Sequence, residues 1–216
     1  MDKYAILWDL DGVLADSTQF HFESWAVVFQ KRGIRVTEAM FKRTFGQNNR
    51  SALTDYLGRP PSEAELAEIG EEKEVLFRDR LPGRLQLLPG ALDWLQRFQD
   101  WGYPQAVASS APPENIDTMM DVLQIRPFFR ELASGADLPG KPDPAVFLLA
   151  AQRLGVPPAR CLVLEDSPAG IQGAHRAGMQ CIAVLTTHPA AELQSADLIV
   201  NRLTDMTSDQ VRGLLS

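Results

Sequence analysis

Tyr4-Ala5-Ile6-Leu7-Trp8 leads directly into Asp9-Leu10-Asp11-Gly12, a short apolar run followed by two carboxylates and a glycine. A continuous apolar run of this length reads as a strand buried on both faces, as in parallel sheets. Asp9 and Asp11 then fall at the carboxyl edge of that strand, where open α/β folds bind their ligands. Calcium loops share the Asp-x-Asp-Gly spacing, but they need a third oxygen ligand where Val13 stands and a flanking helix where the strand stands. A plain turn is the other alternative, because aspartate and glycine are common turn residues.

Working outward, similar runs recur at Gln105 to Ala108, Cys161 to Leu164, Cys181 to Leu185 and Leu198 to Val200, separated by longer stretches of helical periodicity. That alternation predicts an α/β fold, a three-layer Rossmann-like core with a parallel sheet and crossover helices. Residues 16–83 break the rhythm, since their periodicity stays helical over a length too great for one crossover. They are expected to form a small helical cap inserted after the first strand, leaving residues 1–15 and 84–216 as the catalytic core. Within the cap, helices are expected from Ser17 to Arg32, with Phe22, Trp25, Val28 and Phe29 on one face, through Leu53, and from Ser62 to Leu81. Ser62 followed by Glu65 reads as a capping box. Gly83 and Pro89-Gly90 punctuate the return to the core.

The chain of 216 residues, 45% hydrophobic and 23% charged, has the composition of a globular protein with a substantial core. Its net charge of −7 comes from 28 acidic residues among which 21 Lys and Arg are scattered, which argues against a nucleic-acid footprint. An anionic substrate must therefore be bound by local groups. Cys161 and Cys181 sit in apolar runs where a free thiol behaves as a small hydrophobe, and a reducing cytoplasm is the simplest setting. Residues 1–8 carry no basic leader or cleavage site, so no signal peptide is expected. No apolar run approaches the roughly 20 residues needed to span a bilayer, so membrane insertion is not expected. Oligomeric state is not written in the sequence, and a monomer is the default.

Three further places hold groups suited to chemistry. Ala108-Ser109-Ser110 runs into Pro112-Pro113-Glu114, a helix start whose hydroxyls and free N–H groups form an anion site; taken alone, serines there are ordinary caps. Gly140-Lys141-Pro142-Asp143-Pro144 places a lysine in a proline-stiffened loop, available to a phosphate or simply to solvent. After Leu162-Val163-Leu164 come Glu165 and Asp166, which read either as acids at a helix N-terminus or as the remainder of a magnesium site begun by Asp9 and Asp11.

Asp9-x-Asp11-Gly12, Ser109, Lys141 and Glu165-Asp166, in this order and spacing, resemble the four signature motifs of the haloacid dehalogenase superfamily. The resemblance covers essentially the whole chain, including the helical insertion. It implies that Asp9 attacks phosphorus to form an aspartyl phosphate, while Asp11 protonates the leaving oxygen and then deprotonates the incoming water or alcohol. It implies further that Ser109 and Lys141 hold the phosphoryl oxygens, and that Mg2+ is bound by the Asp9 carboxylate, the Asp11 carbonyl, Asp166 and Glu165. These roles fit phosphoryl transfer, which needs in-line positioning and charge neutralisation more than strong bases.

Asp16-Ser17 and His21-Phe22-Glu23-Ser24-Trp25 narrow the resemblance to the β-phosphoglucomutase and sugar-phosphatase branch. His21 is a second-rank site residue, equally readable as helix packing. Arg50, after Gly46-Gln47-Asn48-Asn49, is similar to the cap arginine that grips a distal phosphate in the mutase, although its spacing from Gly46 is one residue longer. Where the mutase pattern supplies polar groups for that second phosphate, this chain has Ala111, Pro112 and Pro113 after Ser110. The expected activity is therefore hydrolysis of a small phosphorylated metabolite, a sugar phosphate in first place, with mutase chemistry as the alternative. Cap side chains, among them His21, Asn48, Arg50 and Lys73, would select the substrate.

Overall fold

The computed structural model describes residues 4–215. Six strands, β1 (Ala5–Trp8), β2 (Gln105–Ser109), β3 (Glu131–Ser134), β4 (Cys161–Glu165), β5 (Gln180–Val184) and β6 (Leu198–Val200), form one sheet in the order β3-β2-β1-β4-β5-β6. Every neighbouring pair is parallel. The α/β class expected from the sequence is the class observed.

The strands are apolar throughout because helices cover both faces of the sheet. Ile6, Trp8, Val107, Leu162 and Leu164 point to one side, where α5 (Ala91–Asp100), α6 (Pro113–Leu123) and α9 (Ser208–Leu214) pack through Phe98, Met119 and Val211. Ala5, Leu7, Ala106, Ala108 and Val163 point to the other, against α7 (Ala145–Leu154) and α8 (Pro168–Arg176). Small residues on that second face let Phe147 of α7 lie close to the sheet.

Between β1 and α5 the chain forms α1 (Thr18–Gln30), α2 (Glu38–Thr44), α3 (Asn49–Leu57) and α4 (Glu63–Arg78). These helices close over an aromatic cluster of their own, which includes Trp25, Phe29, Phe41 and Tyr56. Ser62 caps α4 through the expected reciprocal box with Glu65. Phe20 and Phe77, at the ends of α1 and α4, and Leu81 just beyond belong instead to the main core cluster, so the inserted helices are anchored to the sheet domain by apolar contact.

Some elements were not foreseen. β3 is an edge strand in which only Ala133 is buried, so it lacks the apolar run that marks its neighbours. α2 has seven residues and buries only Phe41 and Thr44, too few to register as a period. The helix expected to reach Leu81 ends at Arg78 and turns before that leucine.

Candidate active site

β1 lies centrally, with β2 and β3 to one side and β4 to β6 to the other, so the strand order reverses beside it. Trp8 pairs with Val107 of β2 and with Leu164 of β4, which brings Asp9, Ser109 and Glu165 to one edge of the sheet. That edge is a switch point, where the connections diverge and leave a crevice.

Asp9 is 5% exposed at its floor and is met by Lys141 Nζ at 2.6 Å. The same ammonium donates to Glu165 Oε1 at 2.5 Å. The other Glu165 oxygen accepts from the Asp166 N–H, the Ser167 N–H and the Ser167 hydroxyl. Asp166 accepts at Oδ2 from the Thr187 hydroxyl. Oxygens of Asp9, Glu165 and Asp166 lie within 4.8 Å of one another.

Two glycines make room for these carboxylates. Gly12 has φ +85°, and a Cβ there would lie 2.0 Å from Asp166 Oδ2. A Cβ on Gly170 would lie 1.9 Å from the carboxyl carbon of Glu165. The glycine of the Asp-x-Asp-Gly run is thus required by an acid more than a hundred residues away in sequence, which neither a calcium loop nor a plain turn would need.

Burial pushes the Asp9 carboxyl up to about 7, with Glu165 and Asp11 adding to the rise and Lys141 opposing it. Asp166 is pushed well up by burial and by the charges of Glu165 and Asp9. For Lys141 burial acts downward, but Asp9 and Glu165 prevail and hold it protonated. Three buried acids facing one ammonium leave an excess of negative charge that a hard divalent cation would neutralise. Asp9 and Asp166 retain the least committed oxygens for that purpose, whereas Glu165 has donors on both of its own.

Asp11 faces the inserted helices. Its Oδ1 accepts from the Ser17 hydroxyl and lies 3.2 Å from His21 Nε2. Lys73 Nζ is 2.8 Å from His21 Nδ1 and donates to both oxygens of Glu74, at 2.9 and 3.0 Å. Lysine has no acceptor, so Nδ1 accepts and Nε2 carries the hydrogen given to Asp11. Burial pushes the imidazole down and Lys73 adds to that, keeping it neutral. For Asp11 burial acts upward, but His21, Ser17 and Lys73 together bring it below its ordinary value.

Asp9, Asp11, His21, Ser109 and Ser110 line a cleft of about 510 Å³, counted to its open mouth, which Trp25, Phe45, Lys73 and Glu74 close from the side of the inserted helices. Ser109 Oγ accepts the Ala111 N–H at 3.1 Å, which turns the chain toward α6. Arg50 is not brought into this cleft. Its guanidinium is paired with Glu63 at 3.0 and 3.1 Å, lining a neighbouring groove that shares Asn49, Glu74, Ser110 and Pro112 with the cleft.

Sequence reasoning quoted Ser17 without giving it a role at the site, and passed over Glu74, Asn115 and Thr187. One signal was present, since Ile69, Lys73, Glu74 and Phe77 share the buried face of α4, where a Lys-Glu pair breaks an apolar stripe. Nothing local marks Thr187, which reaches Asp166 from the loop after β5.

A haloacid dehalogenase-like hydrolase family model matches residues 4–178, and the chain belongs to that family. Among its relatives is the chloroplastic 5-amino-6-(5-phospho-D-ribitylamino)uracil phosphatase of Arabidopsis thaliana, 30% identical over 96% of this chain; the chain spans 57% of that protein's length. The β-phosphoglucomutase of Bacillus subtilis (strain 168) is 30% identical over 94% of this chain and 91% of its own. A crystal structure of β-phosphoglucomutase from Clostridium difficile superposes with a TM-score of 0.88 at 25% identity, covering 99% of this chain and 97% of that one. The chain is accordingly an enzyme of the phosphoric monoester hydrolase class with a β-phosphoglucomutase-like fold. Among the described residues no helix is long and apolar enough to cross a membrane.

Proposed function

We propose that the chain is a Mg2+-dependent phosphatase of a small phosphorylated metabolite, a sugar phosphate first among the candidates, working through an aspartyl phosphate on Asp9 in a reducing, cytoplasmic setting. The observation that carries the reading is the meeting, at one sheet edge, of Asp9 with Lys141, the acids Glu165 and Asp166, and a separately held Asp11. Residues 16–83 serve as a cap over a core of residues 1–15 and 84–216, excluding bulk water and selecting the leaving group.

Asp9, Asp166 and the Asp11 carbonyl would hold the metal, with Glu165 completing the charge and anchoring Lys141. When bound, Mg2+ supplies charge neutralisation between an anionic nucleophile and an anionic phosphate. An Asp9 oxygen forms a bond to phosphorus as the ester P–O bond breaks, and the leaving oxygen takes its proton from Asp11. Asp11 then accepts a proton from water as that water attacks phosphorus, which releases inorganic phosphate and restores the Asp9 carboxylate. Ser109, Ser110 and Lys141 hold the phosphoryl oxygens throughout. Without substrate Asp11 favours the ionised form, so the acid step draws on the arriving phosphate, whose negative charge raises a neighbouring carboxyl.

A mutase reading is supported by the relatives of that name. Against it stand the apolar Ala111 and Pro112 in the cleft wall and the pairing of Arg50 with Glu63, which leave the cleft wall after Ser110 without polar side chains and the Arg50 charge already matched.

Phosphate release should be measured on a panel of sugar phosphates, phosphoglycolate and nucleotides with and without Mg2+, alongside glucose 1-phosphate to 6-phosphate conversion primed by a bisphosphate. Metal-dependent hydrolysis that Asp9→Asn lowers by on the order of 10⁴-fold is expected. Efficient primed isomerisation would support the mutase instead, and failure to hydrolyse any compound would reject the phosphatase.

A further inference from the structure

We infer that Asn115 is a positioning residue for Asp11, acting from the core helix α6 across to the inserted helices through Glu74, Lys73 and His21. The inference rests on the proposed role of Asp11 as the group that moves protons.

Asn115 is 0% exposed. Its Nδ2 donates to Glu74 Oε2 at 2.5 Å, and its Oδ1 accepts from Arg78 Nη1 at 3.0 Å, so both ends of the amide are fixed by α4. Arg78 is itself tied to Glu71 at 3.0 Å. Glu74 takes two of the three Lys73 hydrogens, and the third goes to His21. His21 in turn donates to Asp11. Each donor direction follows from the chemistry of the groups, because lysine only donates and an ionised carboxylate only accepts.

Aromatic rings pack against the middle of this chain of groups. Lys73 lies between the rings of Trp25 and Phe77, 5.3 and 5.2 Å from their centroids, and His21 stacks on Phe77 at 3.9 Å. Apolar walls hold the plane of the imidazole, while the polar partners set where along that plane it sits. If the Asn115 amide is removed, Glu74 loses the donor that reaches it from the core, and Arg78 loses its acceptor there. The carboxylate is then free to swing with Lys73, and Nε2 no longer meets Asp11 at a fixed place. Displacing a catalytic group by about 1 Å can cost on the order of 100-fold in rate.

The test exploits the leaving group. An alkyl phosphate needs a proton as its P–O bond breaks, whereas p-nitrophenyl phosphate releases a stable anion without one. Asn115→Leu, Asn115→Ala and Glu74→Gln should be compared with wild type on p-nitrophenyl phosphate and on the alkyl phosphate turned over fastest in the panel above. Asp11→Asn is the reference for a lost proton donor. Asn48→Ala is the comparator: Asn48, expected from the sequence among the substrate-selecting side chains, lies outside the cleft lining, and the change removes its bond across the same seam to the Leu138 carbonyl together with its cap on the Ser51 N–H.

Asn115→Leu is expected to lower kcat/KM, which reports the steps up to release of the alcohol, by about 10- to 100-fold for the alkyl ester and by under about threefold for the aryl ester; kcat also contains the hydrolysis of the aspartyl phosphate that both esters share. Asn115→Ala and Glu74→Gln should repeat that selectivity, and Asn48→Ala should lower both esters alike. Equal losses in kcat/KM for both esters in the Asn115 variants, or no loss, would overturn the positioning role. Full alkyl turnover by Asp11→Asn would instead remove Asp11 as proton donor, and with it the object of the positioning.

Discussion

At Gly12 a side chain would face both a left-handed backbone, φ +85°, and the Asp166 carboxylate at 2.0 Å. Gly12→Ala is expected to cost about 1–2 kcal/mol in backbone strain alone and to displace Asp166. Its Mg2+ affinity by titration calorimetry should fall about 10- to 100-fold, in the range seen when groups orienting a metal ligand are lost. Asp9 connects the site to pH. Burial raises its pKa to about 7 in the folded protein, above the ordinary aspartate value of 3.8, so metal-free protein loses stability as pH rises from the lower value through the higher. A proton competes with the metal for the same oxygens, so added Mg2+ should raise the melting temperature more at pH 8 than at pH 6. An equal gain at both pH values would show that Asp9 is already ionised in the metal-free protein. Gly12 and Asp9 were both visible as residues in the sequence. The clash that makes one indispensable and the shift that burial imposes on the other were not, because the first comes from Asp166 and the second from the packing of the whole sheet edge over Asp9, with Glu165 adding to it.

Helix α4 is the element on which most of the unforeseen chemistry rests. Its outer end was legible, since Ser62 and Glu65 form the reciprocal cap that their spacing announced. Ser62→Ala should destabilise the protein by about 1 kcal/mol in a denaturant titration and leave kcat/KM unchanged, because the box is exposed and forms no part of the cleft lining. Its inner face was harder to read. Lys73 and Glu74 are 3% and 2% exposed on a stripe with Ile69 and Phe77. A buried ion pair of this kind is tolerated when both partners are satisfied, and breaking it by removing one leaves an uncompensated charge. Periodicity identified the helix and stopped short of its partners, since His21 is 52 residues from Lys73 and Asn115 is 41 from Glu74. β3 escaped for a related reason, as an edge strand needs only one covered face and carries little apolar signal.

On the scale of the whole molecule, Phe77 joins the inserted helices to the sheet domain. It is fully buried in the main core cluster while its ring carries the face of His21. Phe77→Ala should cost about 3–5 kcal/mol in unfolding free energy, as for other large core aromatics, and lower kcat as well. Retention of wild-type kcat by a folded Phe77→Ala protein would show that the His21 stack has no part in turnover. The sequence by itself determined the parallel sheet, the helical insertion after β1 and the superfamily, because each is a repeated local signal: apolar runs of strand length, helical spacing and four short motifs in order. Tertiary structure alone decided that Arg50 turns outward to Glu63 and that Asp11 is tied through His21, Lys73 and Glu74 to Asn115. The physical reason is that a side chain's partner is set by which surfaces the fold brings together, and here those surfaces come from segments that no local pattern links.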